Sequence, residues 1–259
     1  MADRVLRVCA LYPDLMNIYA DRGNITVLER RCAWRGIGFE LAGATVGDDI
    51  DPDAHDLFYI GGGQDRDQAL CARDLADRKR EALHAAAGRG AVVFAVCGGY
   101  QLLGHGYELD GERLPGASLV DLETVREPGE RLIGNVAIEI DLPGGPPVLA
   151  GFENHGGRTY LGAGTTALGS VIRGFGNNGR DGREGVRGGP HGTVVGTYIH
   201  GPLLPKNTAF ADWLTATALR VEPASLPPLD DELEAAARAL AWAASSSASS
   251  SGARSGLSP

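Results

Sequence analysis

The chain has 259 residues, 43% of them hydrophobic and 22% charged, which is enough to bury the core of one α/β domain with at most a small appendage. Its formal net charge of −9 argues against a nucleic-acid-binding protein, because affinity for phosphate backbones rests on clustered Lys and Arg, and it disfavours acidic membranes for the same reason. No apolar run has the length of a signal peptide or of a membrane-spanning helix, so we expect neither secretion nor membrane insertion.

The four cysteines are widely spaced, without any Cys-x-x-Cys pair: Cys9, Cys32, Cys71 and Cys97. This spacing is more typical of free thiols in a reducing compartment than of a disulfide framework. We therefore expect a cytoplasmic protein. No histidine shows metal-ligand spacing with another His, Cys or carboxylate, so we expect no metal site.

In the first hundred residues, apolar runs alternate with helical patterns. The apolar runs predict strands at residues 5–11, 37–42, 56–60 and 91–96, and the helical patterns cover residues 25–34, 65–87 and the stretch from Cys97 through Gly106. This alternation indicates an α/β fold with a doubly wound, mostly parallel sheet.

Beyond Gly106 the pattern changes to strands joined by glycine-rich loops. These strands are predicted at residues 132–140, 148–152, 167–173 and 193–199, and helices follow at 207–219 and 230–244. We divide the chain into a main domain at 1–222, a helical extension at 223–244 and a Ser-rich tail at 245–259, which is too poor in apolar groups to fold.

Cys97 stands where the apolar run Ala91–Val96 ends and Gly98-Gly99 begins. A nucleophilic residue between a buried strand and a helix, followed by glycines, is typical of a nucleophile elbow. The N-terminus of the helix favours a thiolate, and the N–H of Gly98 faces the place where an oxyanion would form. The other three cysteines lie within strand or helix patterns, so we interpret them as buried structural thiols.

A second glycine-rich segment, Gly61–Gly63, follows the predicted strand at 56–60. Its bare backbone amides could approach a substrate closely, which makes Gly62 and Gly63 further candidates for the oxyanion hole. A phosphate-binding loop is the alternative, but the segment lacks the Lys-Ser/Thr ending and no G-x-G-x-x-G occurs. Both this loop and Cys97 lie at carboxyl ends of strands, the edge where α/β sheets bind ligands.

His200 ends the apolar segment Thr197–Ile199 and precedes a glycine, which places a base at the same edge. A thiol nucleophile needs a neighbouring imidazole to take and return its proton, so His200 is the candidate partner of Cys97, although an isolated histidine is often structural. His105 lies too far along the predicted helix for proton transfer. His155, in Gly151–Thr159, is a candidate pocket-lining residue.

These segments resemble the triad glutamine amidotransferase superfamily in its cobyric acid synthase-like branch: Ile60–Gly63, Val96–Gln101 and Tyr198–Pro202. Residues 15–24, 61–70, 151–160 and 200–207 are further similar to the glutaminase subunits of lipid II isoglutaminyl synthases. The motifs occur in the order in which that family has them.

The resemblance implies a flavodoxin-like domain in which Cys97 is the nucleophile and His200 the general base and acid. It also makes Arg131 the glutamine-binding arginine, a role that suits a guanidinium because it donates two parallel hydrogen bonds to a carboxylate. Gln101, Asn154 and His155 lie within the matching motifs and are further substrate-binding candidates.

The resemblance further implies a partner, a MurT-like subunit of the Mur-ligase family, to which the ammonia passes. ATP and magnesium are then expected on that partner, with no cofactor in this chain. The partner would amidate the α-carboxylate of D-glutamate in the peptidoglycan stem peptide.

One departure from the wider superfamily concerns the residue two positions after the catalytic histidine. Many members have Glu there, whereas this chain has Pro202, so the group that orients the imidazole is undetermined. Three alternatives stay open: an amidotransferase of corrinoid synthesis, a cysteine peptidase or hydrolase without a partner, and a non-catalytic binding module on the same fold.

Overall fold

The computed structural model describes residues 4–17, 22–109, 111–237 and 239. In chain order the strands are β1 (Val5–Leu11), β2 (Gly38–Ala44), β3 (Leu57–Ile60), β4 (Val92–Val96), β5 (Gly106–Leu109), β6 (Glu112–Pro115), β7 (Leu122–Arg126), β8 (Leu132–Ile140), β9 (Val148–His155), β10 (Gly157–Leu161), β11 (Gly169–Arg173), β12 (Arg183–Glu184), β13 (Val186–Gly188) and β14 (Val194–Thr197). The α-helices are α1 (Arg22–Trp34), α2 (Asp65–Asp74), α3 (Arg80–Gly88), α4 (Gly98–Leu102), α5 (Leu203–Lys206) and α6 (Thr208–Ala218).

The central sheet has the strand order β13-β14-β4-β3-β1-β2, and all its neighbours pair in parallel except β13 with β14. Every residue of β3 and β4 is buried, as expected for the continuous apolar runs of strands covered on both faces. Two groups of helices pack on this sheet: α1, α5 and α6 contact one another, and α2 contacts α4. The predicted α/β fold with a mostly parallel sheet is confirmed.

The helix predicted at 65–87 is interrupted by a π-helical segment, Leu75–Lys79, between α2 and α3. The extra residue in this turn brings the fully buried ammonium of Lys79 onto the carboxylate of Asp74, which also accepts a hydrogen bond from the hydroxyl of Tyr12 at 2.7 Å. The pairing of Lys79 with Asp74 therefore accompanies the π-helical turn, which the spacing of the apolar residues does not predict.

Two smaller sheets stand beside the central one, with the orders β10-β7-β5-β6 and β12-β11-β8-β9. The prediction of a helix from Cys97 through Gly106 was wrong in its length, because α4 ends at Leu102 and β5 begins at Gly106. His105 therefore lies between a helix and a strand, where its ring contacts Ser118 and Asp121. Six strands were not predicted: β5, β6, β7, β10, β12 and β13.

In the second half of the chain, the predicted strand at 132–140 coincides with β8, and that at 148–152 is the first part of β9. The predicted helix at 207–219 is α6. Of the predicted helix at 230–244, residues 232–237 are helical, and most of the remainder lies outside the described residues, as does the tail at 245–259. The division into three segments stays a prediction. Among the helices of the described ranges, none has the length and apolarity needed to cross a bilayer.

Candidate active site

Cys97 occupies the turn between β4 and α4 with φ 52° and ψ −111°. A non-glycine residue in this part of the Ramachandran map carries strain of about 1–3 kcal/mol, which the surrounding structure must compensate. Part of the compensation is a hydrogen bond that the N–H of Cys97 donates to the carbonyl of Thr197 at 2.8 Å. The strained turn places the thiol at the carboxyl edge of the central sheet, as a nucleophile elbow requires.

The two glycines after Cys97 let the elbow pack backbone to backbone against the loop that follows β3. A Cβ on Gly99 would lie 2.6 Å from the carbonyl oxygen of Ile60, and a Cβ on Gly98 would lie 3.1 Å from the amide nitrogen of Gly63. The N–H of Gly99 donates to the carbonyl of Gly61 at 3.1 Å. The structure thus brings together the two glycine-rich segments that the sequence places at this edge.

One cavity contains Cys97 together with Gly63 and Gly98, two of the three oxyanion-hole candidates. The third candidate, Gly62, precedes Gly63 in the same loop. The side chain of Gln68, from the first turns of α2, also lines the cavity and donates from Nε2 to the carbonyl of Gly98 at 3.3 Å. The backbone next to the thiol is therefore fixed by hydrogen bonds with both Gln68 and Gly61.

His200 reaches the site from β14, which pairs in parallel with β4 so that Thr197 lies beside Val96. Three residues beyond β14, His200 forms an antiparallel bridge with Phe152 of β9, with hydrogen bonds of 2.9 and 3.3 Å between the two backbones. The residue is fully buried. Asn154, which lines the cavity of Cys97, lies two residues beyond Phe152 on the same strand.

The environment of His200 favours the uncharged imidazole. Burial lowers the pKa of His200 to about 4, and the neighbouring His155, Lys206 and Arg131 act in the same direction, while the backbone of Asn154 opposes them. At pH 7 the ring is neutral and able to accept a proton, as a general base for a thiol must be.

Arg131 is exposed at the rim of the cavity, one residue before β8. Its Nε donates to the side-chain oxygen of Asn154 at 2.9 Å, and its Nη2 donates to the backbone carbonyl of the same residue at 3.0 Å. The guanidinium is thus held beside the thiol by two hydrogen bonds to one neighbour.

Gln101 and His155 belong to a buried polar network that forms one wall of the cavity. Gln101 accepts from Nε2 of Gln68 at 2.6 Å and donates to the hydroxyl of Tyr198 at 3.1 Å. The ring of His155 stacks on that of Tyr198 with centroids 3.6 Å apart, and its Nδ1 donates to the carbonyl of Gly157 at 2.9 Å. These contacts join Gln68, Gln101, Tyr198 and His155 into one connected wall of the cavity.

Five cavity-lining residues were not predicted from the sequence: Asp65, Gln68, Tyr107, Arg126 and Gly156. Tyr107 and Arg126 lie on β5 and β7, which were not predicted, so no signal pointed to them. Asp65 and Gln68 stand in the first turn and a half of the helix that follows the glycine-rich loop. That position alone directs side chains to the ligand-binding edge and could have identified both.

The other three thiols differ from Cys97 in having no elbow. Burial raises the pKa of Cys9 and Cys32 to about 11 and that of Cys71 to about 12, so all three are protonated at neutral pH. Their interpretation as structural thiols agrees with these environments. Within the described ranges, no three His, Cys, Asp or Glu side chains cluster in a way that could hold a metal ion.

The comparisons with known proteins agree with this geometry. A protein-family model for the CobB/CobQ-like glutamine amidotransferase domain matches residues 7–208. Subunit GatD of the glutamine-hydrolyzing lipid II isoglutaminyl synthase of Staphylococcus aureus is 40% identical over 228 residues, which cover 87% of this chain and 90% of that protein. The cobyric acid synthase of Pelotomaculum thermopropionicum is 39% identical over 134 residues, which cover 46% of this chain and 25% of that protein.

Among solved structures, PurLQS from Thermotoga maritima superposes with a TM-score of 0.55 and 21% sequence identity, covering 75% of this chain and 87% of that one. At this identity the likeness concerns the fold alone.

Proposed function

The chain belongs to the CobB/CobQ-like glutamine amidotransferase family, and we propose that it is the glutaminase subunit of a two-subunit lipid II isoglutaminyl synthase. It hydrolyses glutamine to glutamate and ammonia, and a MurT-like ligase subunit uses the ammonia to amidate the α-carboxylate of D-glutamate in the peptidoglycan stem peptide. The similarity to GatD over 90% of that protein's length supports this choice over a cobyric acid synthase, of which the matched region is a quarter.

The observation that carries the proposal is the strained elbow of Cys97 in one cavity with Arg131. A thiol nucleophile alone suits many hydrolases, but an arginine at the rim adds a site for the α-carboxylate of an amino acid. Glutamine, with a carboxylate at one end and an amide at the other, fits both groups.

In the first half of the reaction, His200 takes the proton of Cys97 and the sulfur attacks the side-chain carbonyl carbon of glutamine. The negative charge on the carbonyl oxygen is stabilised by the N–H groups of Gly98 and of Gly62 or Gly63. The imidazolium then gives its proton to the nitrogen as the carbon–nitrogen bond breaks. Ammonia leaves, and a glutamyl thioester remains on Cys97.

In the second half, water attacks the thioester while His200 accepts a proton from it, and the thiol is regenerated as glutamate departs. The neutral state of His200 at pH 7 supports its part in both halves, because a base that was already protonated could not begin the cycle.

The partner contributes the chemistry that this chain leaves out. Activation of a carboxylate requires a nucleotide, so we place ATP and magnesium on the ligase subunit and no cofactor in this chain. We place the complex in the cytoplasm, where four free cysteines stay reduced.

The test is amidation by the complex of this chain with its ligase-family partner, supplied either with glutamine or with an ammonium salt. We expect wild type to amidate lipid II with both nitrogen sources, and the Cys97→Ala complex to amidate only with ammonium. Amidation from glutamine by Cys97→Ala would contradict the proposed reaction. Release of ammonia without amidation of lipid II would instead favour another acceptor, such as a corrinoid carboxylate.

A further inference from the structure

We propose that Asn154 is a positioning residue that fixes the plane of the glutamine-binding Arg131. This inference rests on the proposed glutaminase function and deepens it. Asn154 is the last but one residue of β9 and lies at the edge of the cavity that contains Cys97. Both its side-chain oxygen and its backbone carbonyl accept hydrogen bonds from the guanidinium.

The contact with Arg131 leaves part of the guanidinium available. Arginine has five N–H donors in one plane, and Asn154 accepts from two of them, one on Nε and one on Nη2. The N–H groups on Nη1 and the second one on Nη2 form the other edge of the fork, and this edge can make a bidentate contact with a carboxylate. Asn154 therefore fixes the plane of the guanidinium without occupying the edge that a carboxylate needs.

The strand that carries Asn154 is also paired with the segment that carries His200. The bridge between Phe152 and His200 aligns β9 with that segment through two backbone hydrogen bonds of 2.9 and 3.3 Å, and Asn154 lies two residues beyond Phe152. Strand pairing therefore limits the movement of Asn154 relative to the proposed reaction centre.

The end of β9 is itself well anchored, which a positioning role requires. The buried carboxylate of Glu153 accepts hydrogen bonds from the N–H groups of Phe175 and Gly176 at 2.6 and 3.0 Å. On the other side of Asn154, His155 is stacked on Tyr198. Asn154 is therefore held between two fixed neighbours along the strand.

A double-mutant cycle tests whether Asn154 acts through Arg131. It is measured as glutaminase activity of the chain with its ligase-family partner. We expect Asn154→Ala to raise KM for glutamine about tenfold with kcat within about twofold of wild type, because the alanine keeps the backbone carbonyl but not the side-chain acceptor. In the Arg131→Ala background the same change should alter KM less than about twofold, since its effect passes through Arg131. The matched control is Ile133→Ala, which alters the exposed residue opposite Asn154 on β8 and should leave KM unchanged.

An unchanged KM in Asn154→Ala would overturn the positioning role of Asn154. An equal rise of KM in the wild-type and Arg131→Ala backgrounds would overturn it too, because a merely structural residue gives that result. Absence of glutaminase activity in wild type would instead overturn the proposed function.

Discussion

Burial sets the protonation state of two side chains next to the proposed reaction centre. It lowers the pKa of His200 to about 4 and raises that of Glu184 to about 8. The position of His200 at the carboxyl edge of the sheet could be predicted from the sequence, because an apolar run ends there. Its burial could not be predicted, because burial depends on the pairing of β9 with the segment that carries His200. Arg131 lies in a polar segment and was reached through family resemblance alone, since a single exposed arginine carries no local signal.

The lowered pKa of His200 predicts the acid limb of the pH–rate profile. The base form of the imidazole exists above its pKa, so kcat/KM for glutamine should hold its value down to about pH 5 and fall as the pH approaches about 4. Ammonia release measured between pH 4 and pH 8, with folding checked by circular dichroism at each point, gives the profile. A limb centred near pH 6.5, the ordinary pKa of histidine, would contradict the buried position of His200.

Among the secondary-structure elements, the junction of β3, β4 and α4 positions Cys97, the proposed nucleophile. The strands and both glycine-rich turns could be predicted from sequence, because apolar runs that end in glycine are local patterns. The length of α4 could not. The helix ends near Gly104, where a Cβ would lie 2.1 Å from a side-chain carbon of Leu122 in β7. The helical sequence pattern continues at this point, but packing against a strand distant in the chain ends the helix.

The packing at this junction predicts a large effect of Gly99→Ala. The new methyl group would meet the backbone oxygens of Ile60 and Gly61 at 2.6 and 2.8 Å, and neither can move without displacing β3. We expect a loss of about 1–3 kcal/mol in the free energy of unfolding, measured by urea denaturation, together with loss of glutaminase activity.

Gly88→Ala is the matched control, because nothing lies within 4 Å of a Cβ at the end of α3. It should leave activity unchanged and stability equal or higher by up to about 1 kcal/mol. Equal stability of the Gly99→Ala and Gly88→Ala variants would contradict the close packing of the elbow on β3.

At the scale of the whole molecule, the site forms where the central sheet meets the sheet of β8, β9, β11 and β12. The bridge of Phe152 with His200 is one link between them, and the fully buried Glu184 of β12 is another. The carboxyl group of Glu184 accepts from the N–H of Tyr198 at 2.7 Å and from the hydroxyl of Thr197 at 3.0 Å. The central sheet was predicted from its alternating pattern, but contacts between sheets join residues far apart in the chain and leave no periodic signal.

Glu184 predicts a loss of stability in mildly alkaline solution. Desolvation raises its folded pKa from 4.5 to about 8, so its stabilising effect is complete below pH 4.5 and is lost as the pH rises towards 8. His200 acts in the opposite direction. Its folded pKa lies below 6.5, so stability falls only as the pH drops from 6.5 towards 4. Between pH 6.5 and pH 8 the effect of Glu184 is therefore larger than that of His200.

We expect the free energy of unfolding of wild type to fall by about 2 kcal/mol between pH 6.5 and pH 8, since each pKa unit corresponds to about 1.4 kcal/mol. Glu184→Gln, which has no charge to bury, should flatten this slope. Glu139→Gln, at an exposed position on β8, should keep it. Urea denaturation at pH 6.5, 7 and 8 gives the three slopes, and an equal slope in wild type and Glu184→Gln would show that another group is responsible.

Ammonia release from glutamine shows whether Cys97 is the nucleophile of a glutaminase, as we propose. With the ligase-family partner present, Cys97→Ala should release ammonia at least about a thousandfold more slowly than wild type, because no other group at the elbow can form the thioester. Cys71→Ala, which removes a buried thiol outside the cavity, should retain activity in proportion to its folded fraction. Release of ammonia by Cys97→Ala at the rate of wild type would show that Cys97 is not the nucleophile.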